Sequence, residues 1–154
     1  MNPSTRGRGR PRRAEADAEI LDAARMLLRE GGYRALSLDE VARRASTAKS
    51  SIYRRWPSKA ALAAEIIRRE WSPPEVVSDR EDAVRAFESL LHGAFGGVVA
   101  SLVGEAQESA ETRAIVVALI DPYRQLLGAF VSDETAEGLL GRILFLRLLG
   151  PSPG

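Results

Sequence analysis

Residues 37–59, Ser-Leu-Asp-Glu-Val-Ala-Arg-Arg-Ala-Ser-Thr-Ala-Lys-Ser-Ser-Ile-Tyr-Arg-Arg-Trp-Pro-Ser-Lys, leave the backbone few choices. Ser37 offers a hydroxyl to the free amides of a helix start, and Glu40 follows at the spacing of a capping box. Leu38, Val41, Ala42 and Ala45 then share one helical face. Ser46 and Thr47 interrupt that stripe. Ala48 to Trp56 resumes a helix, with Ile52 and Trp56 as its inward anchors. Pro57 stops it and Ser58 caps the next helix. Two short helices joined by a tight turn, the second showing hydroxyls and cations to solvent, make a helix-turn-helix. At 1.5 Å per residue the stretch from Lys49 to Trp56 is about 12 Å long, which suits a DNA major groove.

The flanking sequence is helical too. From Ala14 to Glu30 the residues Ile20, Leu21, Ala24, Leu27 and Leu28 form one apolar face, acids crowd the first turns, and Gly31-Gly32 supplies a left-handed stop. Tyr33 and Leu36 fold back as apolar anchors, and Leu62, Ile66 and Ile67 hold a fourth helix until Pro73-Pro74 breaks the chain. Beyond the prolines the periodicity predicts helices over 81–92, 94–107, 110–131 and 134–149, with a kink at Pro122. No strand alternation is present. The expected fold is all-α, with a basic arm (1–13), a three-helix helix-turn-helix domain (14–72) and a continuous helical domain (73–154).

Charge separates the same two halves. Residues 1–72 hold 16 Lys and Arg against 9 Asp and Glu, whereas 73–154 hold 6 against 12. A basic head beside an acidic body points to a polyanion partner for the head alone. Cysteine is absent, which excludes disulfides, thiolate metal sites and cysteine nucleophiles. The single His92 lies near Glu88 without a ligand cluster, so no metal site or cofactor is expected. No phosphate loop, nucleophile elbow or catalytic carboxylate pair is visible, and the chain is read as a non-enzyme. The charged stretch after the arm does not fit a secretory signal, and Leu139 to Leu149 falls short of the ~20 residues of a membrane span, so the expected location is cytoplasmic.

Within the second short helix, Ser50 and Ser51 suit base edges or phosphates, Thr47 suits a thymine methyl, and Lys49 or Arg54 suits a guanine or the backbone. Tyr53 projects toward the sugar-phosphate chain. Lys59 adds a cation at the start of the fourth helix, and Ser37 is a further candidate contact. The arm, Arg6-Gly7-Arg8-Gly9-Arg10-Pro11-Arg12-Arg13, resembles the core of an AT-hook. Extended, its eight residues span at most ~28 Å, enough to bring Arg6, Arg8, Arg10 and Arg12 to an adjacent minor groove.

Four segments in order, Ile20-Leu21-Asp22-Ala23-Ala24, Gly31-Gly32-Tyr33, Leu38-Asp39-Glu40-Val41-Ala42 and Ile52 through Leu62, resemble the DNA-binding domain of TetR-family transcriptional regulators. The resemblance implies that the second short helix is the recognition helix, with Tyr53 and Lys59 on phosphates and Trp56 in the core. One stretch departs from the family: Ser46-Thr47-Ala48 stands where Gly-Val-Ser is usual, so Ser46 or Thr47 must cap the recognition helix or its approach must differ. The second half resembles the family more loosely, at 102–107 and 139–142, and is shorter than most members. By that resemblance it dimerises through its last helices, with Leu139, Leu140, Ile143, Leu144 and Leu148 at the interface. Phe87, Leu91, Phe95, Val99, Leu102, Tyr123 and Phe130 would line a pocket for a small apolar ligand, with Gln107 or Tyr123 as the polar contact. The resulting reading is a homodimeric repressor on a palindromic operator in double-stranded DNA, released by a small-molecule inducer. The alternative is an architectural protein of AT-rich minor grooves in which the arm dominates.

Overall fold

The structure is a computed structural model that describes residues 9–149, with side chains over 14–147. The elements are α1 (Gly9–Ala35), α2 (Leu38–Arg44), α3 (Lys49–Tyr53), α4 (Lys59–Glu70), α5 (Arg80–His92), α6 (Gly96–Glu105), α7 (Ala110–Gly128) and α8 (Asp133–Leu149). No strand occurs among the described residues, and the fold is all-α. Packing divides the chain into two compact units that meet in sequence between Ile66 and Ile67, inside α4.

In the first unit α1 buries Ile20, Leu21, Ala24, Leu27 and Leu28, the face its periodicity predicts. Its start differs from the expectation of an extended arm. Gly9 to Arg13 already form helical turns, because Pro11 so near a helix start has no amide to strand and brings a helical φ with it. The first turn therefore carries no acid, and the acids expected there lie further along. Gly31 and Gly32 interrupt the helix, Gly32 at φ 65°, before a last turn ends at Ala35. Tyr33 and Leu36 are buried beyond that break.

Leu38 and Val41 anchor α2, and Ile52, fully buried, anchors α3. Three local expectations fail here. The Ser37 side chain makes no cap hydrogen bond. Glu40, its intended partner, is taken by Arg43 at 2.6 Å and Arg44 at 2.9 Å, since a guanidinium outbids a neutral backbone amide for a carboxylate. Neither Ser46 nor Thr47 caps α3: its N-cap is Ala48, with no side-chain bond. Instead the turn closes through backbone, Thr47 N–H donating to Ala42 O at 3.0 Å, and Ser46 takes the left-handed conformation at φ 47°. Finally, α3 is shorter than 48–56. Arg54 and Arg55 complete its end as a turn, where Ile52 O accepts from both Arg55 N–H and Trp56 N–H at 2.9 Å. Ser58 Oγ does accept from Ala61 N–H at 3.1 Å, capping α4 as expected.

In the second unit α5, α6, α7 and α8 pack together. Asp79 caps α5 by accepting from Asp82 N–H, and Ser109 caps α7 by accepting from Thr112 N–H. The α7 helix runs through Pro122 as a single element. Arg147 donates to Leu91 O at 3.1 Å, tying α8 to the end of α5. Gly93 is required by packing, since a Cβ there would lie 2.4 Å from the Trp71 ring. Among the described residues no single helix is long and apolar enough to cross a membrane; α5 and α6 reach that length and apolarity only as a pair, and the pair bends by 86°.

Candidate nucleic-acid interface

The outward face of the helix-turn-helix is built on Ile52. With that side chain 0% exposed beneath α3, the helical register turns Lys49, Ser50 and Tyr53 to solvent, with Tyr53 47% exposed. Arg54 follows them on the exposed side, while Thr47 and Ser51 are half-buried. Ser37 lies exposed at the start of α2. Lys59 Nζ sits 4.1 Å above the centre of the Tyr33 ring. That contact fixes the α4 cation against a residue buried behind the α1 break.

In sequence the cations here look alike. Their geometry separates them. Lys49 Nζ pairs with Asp39 Oδ1 across the turn at 2.6 Å and lies 5.8 Å from the Tyr53 ring centre. The Asp39 carboxylate, accepting this hydrogen bond, holds the Lys49 pKa above its ordinary value. Arg55 turns the other way. Its guanidinium meets the Asp17 carboxylate of α1 as an ion pair and donates to Ser51 O at 2.9 Å, with the Arg55 side chain only 13% exposed. Arg55 and Asp17 were not singled out in the sequence, although Arg55 stands three residues after Ile52, the spacing of a helical neighbour on the inner face. Trp56, expected in the core, is half-buried.

Behind this face, Arg44 links α2 to α1. It donates to both Glu30 oxygens at 2.8 Å and to Glu40. Those guanidinium hydrogen bonds lower the Glu30 pKa, and with the Arg43 bond they lower that of Glu40 to about 2. Of the arm, Arg10 and Arg12 fall in the first turns of α1, and Arg6 and Arg8 lie outside the described residues.

The second unit holds the remaining expected sites. Phe87, Leu91, Phe95, Val99, Leu102 and Tyr123 are buried. Phe130 is not: 41% exposed just after α7, it lies outside that core. Gln107 is likewise exposed, its carbonyl accepting from Arg113. The Phe87 and Tyr123 rings stand 5.4 Å apart, and the Tyr123 hydroxyl is buried without a hydrogen-bond partner among the described residues. Burial raises its pKa. On α8, Leu140 is 4% exposed and packs inside its own unit. Leu139, Ile143 and Leu144 are half-buried. The Leu148 side chain lies outside those described. Further exposed apolar side chains are Phe145 (60%) and Leu146 (55%) on α8, Val117 (60%) on α7 and Val76 (83%) before α5.

Residues 20–66 match the family model described as bacterial regulatory proteins, tetR family. An uncharacterized HTH-type transcriptional regulator of Mycobacterium bovis is 27% identical over 158 residues, covering 89% of this chain and 78% of the relative. The HTH-type transcriptional repressor KstR of Mycobacterium tuberculosis is 38% identical over 66 residues, covering 43% of this chain and 30% of the repressor. Among solved structures, that of the TetR family transcription regulator SCO0332 superposes with a TM-score of 0.67 at 26% identity, covering 91% of this chain and 90% of that one. The helix-turn-helix of residues 20–66 is thus that of the tetR family of bacterial regulatory proteins, and the chain shares its fold along most of its length with a TetR family transcription regulator.

Proposed function

We propose that the chain is a homodimeric repressor that reads a palindromic operator through α3. The carrying observation is the contrast across that helix: Lys49, Ser50, Tyr53 and Arg54 face solvent, while Ile52 beneath them is wholly buried. Ser50 and Ser51 read base edges, Thr47 meets a thymine methyl, and Tyr53, Arg54, Lys59 and Ser37 hold phosphates. Lys49 serves a guanine or a phosphate once released from Asp39. The arm's Arg6, Arg8, Arg10 and Arg12 add attraction to the duplex.

A second copy docks on the apolar surface around Phe145 and Leu146, with Leu139, Ile143, Leu144 and Leu148 of α8 flanking it. A small, largely apolar molecule with one hydrogen-bonding group is the inducer, met by the buried Tyr123 hydroxyl of α7 beside Phe87 of α5. It releases DNA only by favouring a spacing of the two recognition helices that misfits the operator. The repressor sign follows KstR, whose similarity to this chain spans 66 residues.

Footprinting on the DNA upstream of the protein's own gene, with oligomeric state measured in parallel, tests this reading. The expected result is a dimer protecting two inverted half-sites ~34 Å apart or a multiple of that distance. A monomer, or protection without inverted symmetry, refutes the dimeric operator reading.

A further inference from the structure

The geometry points to Asp39 as a built-in competitor of DNA for Lys49, damping the sequence-independent attraction of the recognition helix. This rests on the reading of α3 as the DNA-contacting helix. Lys49 is the first residue of α3, and its ammonium is held at 2.6 Å by a carboxylate on α2, the helix before the turn. Both partners are open to solvent, Lys49 at 43% and Asp39 at 74% of their side chains. A phosphate approaching α3 can therefore reach the ammonium, but it meets Asp39 at the same place. Until the carboxylate is displaced, the pair presents no net charge where the sequence shows a cation.

Non-specific binding to duplex DNA is almost wholly electrostatic and scales with the number of cations that replace condensed counterions. A lysine paired with a carboxylate contributes little to that count. Asp39 therefore reduces binding on bulk DNA. Lys49 contributes in full only in a docked complex, where a base edge or phosphate at fixed distance takes the place of the carboxylate. The Tyr53 ring, 5.8 Å from Nζ, keeps the ammonium near the exposed face in either state.

The test is fluorescence anisotropy of the full chain on a 30-base-pair random-sequence duplex from about 20 to 200 mM KCl, comparing wild type with Asp39→Asn. Exposed as Asp39 is, the substitution leaves folding intact, which a circular dichroism melt verifies. The variant is expected to steepen the log Kd against log salt slope by about 0.9 and to tighten binding about eightfold near ~0.1 M salt, one counterion's worth. Adding Lys49→Gln abolishes that gain. Equal slopes for wild type and Asp39→Asn, or a gain that survives Lys49→Gln, overturn the inference while leaving the DNA reading intact. No binding by the wild type at the lowest salt overturns both.

Discussion

Asp17→Asn probes the support of α3 most sharply. The helix has five residues and no side-chain N-cap, far below the length at which a helix holds itself in water. Apart from Ile52, its end is held by Arg55, which donates to Ser51 O and pairs with Asp17 on α1. Asp17 Oδ1 and Arg55 Nε are both shut off from solvent and, among the described residues, make no aligned hydrogen bond elsewhere. Their side chains are 33% and 13% exposed, so the pair lies between the surface and the interior. An exposed pair is worth about 0–1 kcal/mol, and stranding one member of a fully buried pair costs about 3–5 kcal/mol. The expected loss for Asp17→Asn is accordingly about 2 kcal/mol, because Arg55 can recover some water through its open edge. Urea unfolding, followed by Trp56 fluorescence in a Trp71→Phe background, reports on the first unit alone. With a slope of about 1–1.5 kcal/mol per M for a unit this small, the midpoint falls by more than about 1 M. Asp17→Ala combined with Arg55→Met loses less than the sum of the single changes, since methionine keeps the apolar stem and leaves no charge stranded. A midpoint shift below about 0.3 M, or strict additivity, refutes the argument that this pair braces the helix.

Ser46→Gly removes a side chain from the left-handed region at φ 47°. The relief of about 1 kcal/mol exceeds the added freedom of the unfolded chain, so the first unit gains about 0.5 kcal/mol, read as a higher urea midpoint. Glu40, its pKa lowered to about 2 by Arg43 and Arg44, contributes stability that is complete above its unfolded pKa and lost as pH falls through the folded one. Wild type should therefore lose stability between about pH 4.5 and 2 by more than Glu40→Gln does, in urea midpoints taken across that range. Phe145→Lys with Leu146→Lys places charge on the open face of α8 and should convert a dimer to a folded monomer in analytical ultracentrifugation; an unchanged dimer removes that face from the interface.

The elements were legible wherever apolar spacing alone determines them. Ile20 to Leu28 and Leu38 with Val41 needed only the helical period, and Gly31-Gly32 and Pro73-Pro74 mark breaks through backbone chemistry. Side-chain partners were not legible, because they depend on which helix lies across the turn. Arg54 and Arg55 are adjacent identical cations, yet one faces solvent and the other meets Asp17, far earlier in the chain. Lys49 looks like a free cation until α2 brings Asp39 to it. Glu40 stood at capping-box spacing from Ser37, but two arginines on its own helix claim it first. The leucine-rich α8 shows no polar stripe, so periodicity could not distinguish Leu140, packed inside, from Phe145 and Leu146 outside.

The central claim, that the open side of α3 reads DNA while its neighbours grip the backbone, is tested most directly by selecting binding sites from a random duplex pool with wild type, Ser50→Ala and Tyr53→Ala, and measuring the salt dependence of each on the selected site. Ser50→Ala is expected to change the selected sequence and keep the slope, whereas Tyr53→Ala keeps the sequence and weakens binding on every duplex. Identical selected sequences and affinities for all three proteins would contradict it.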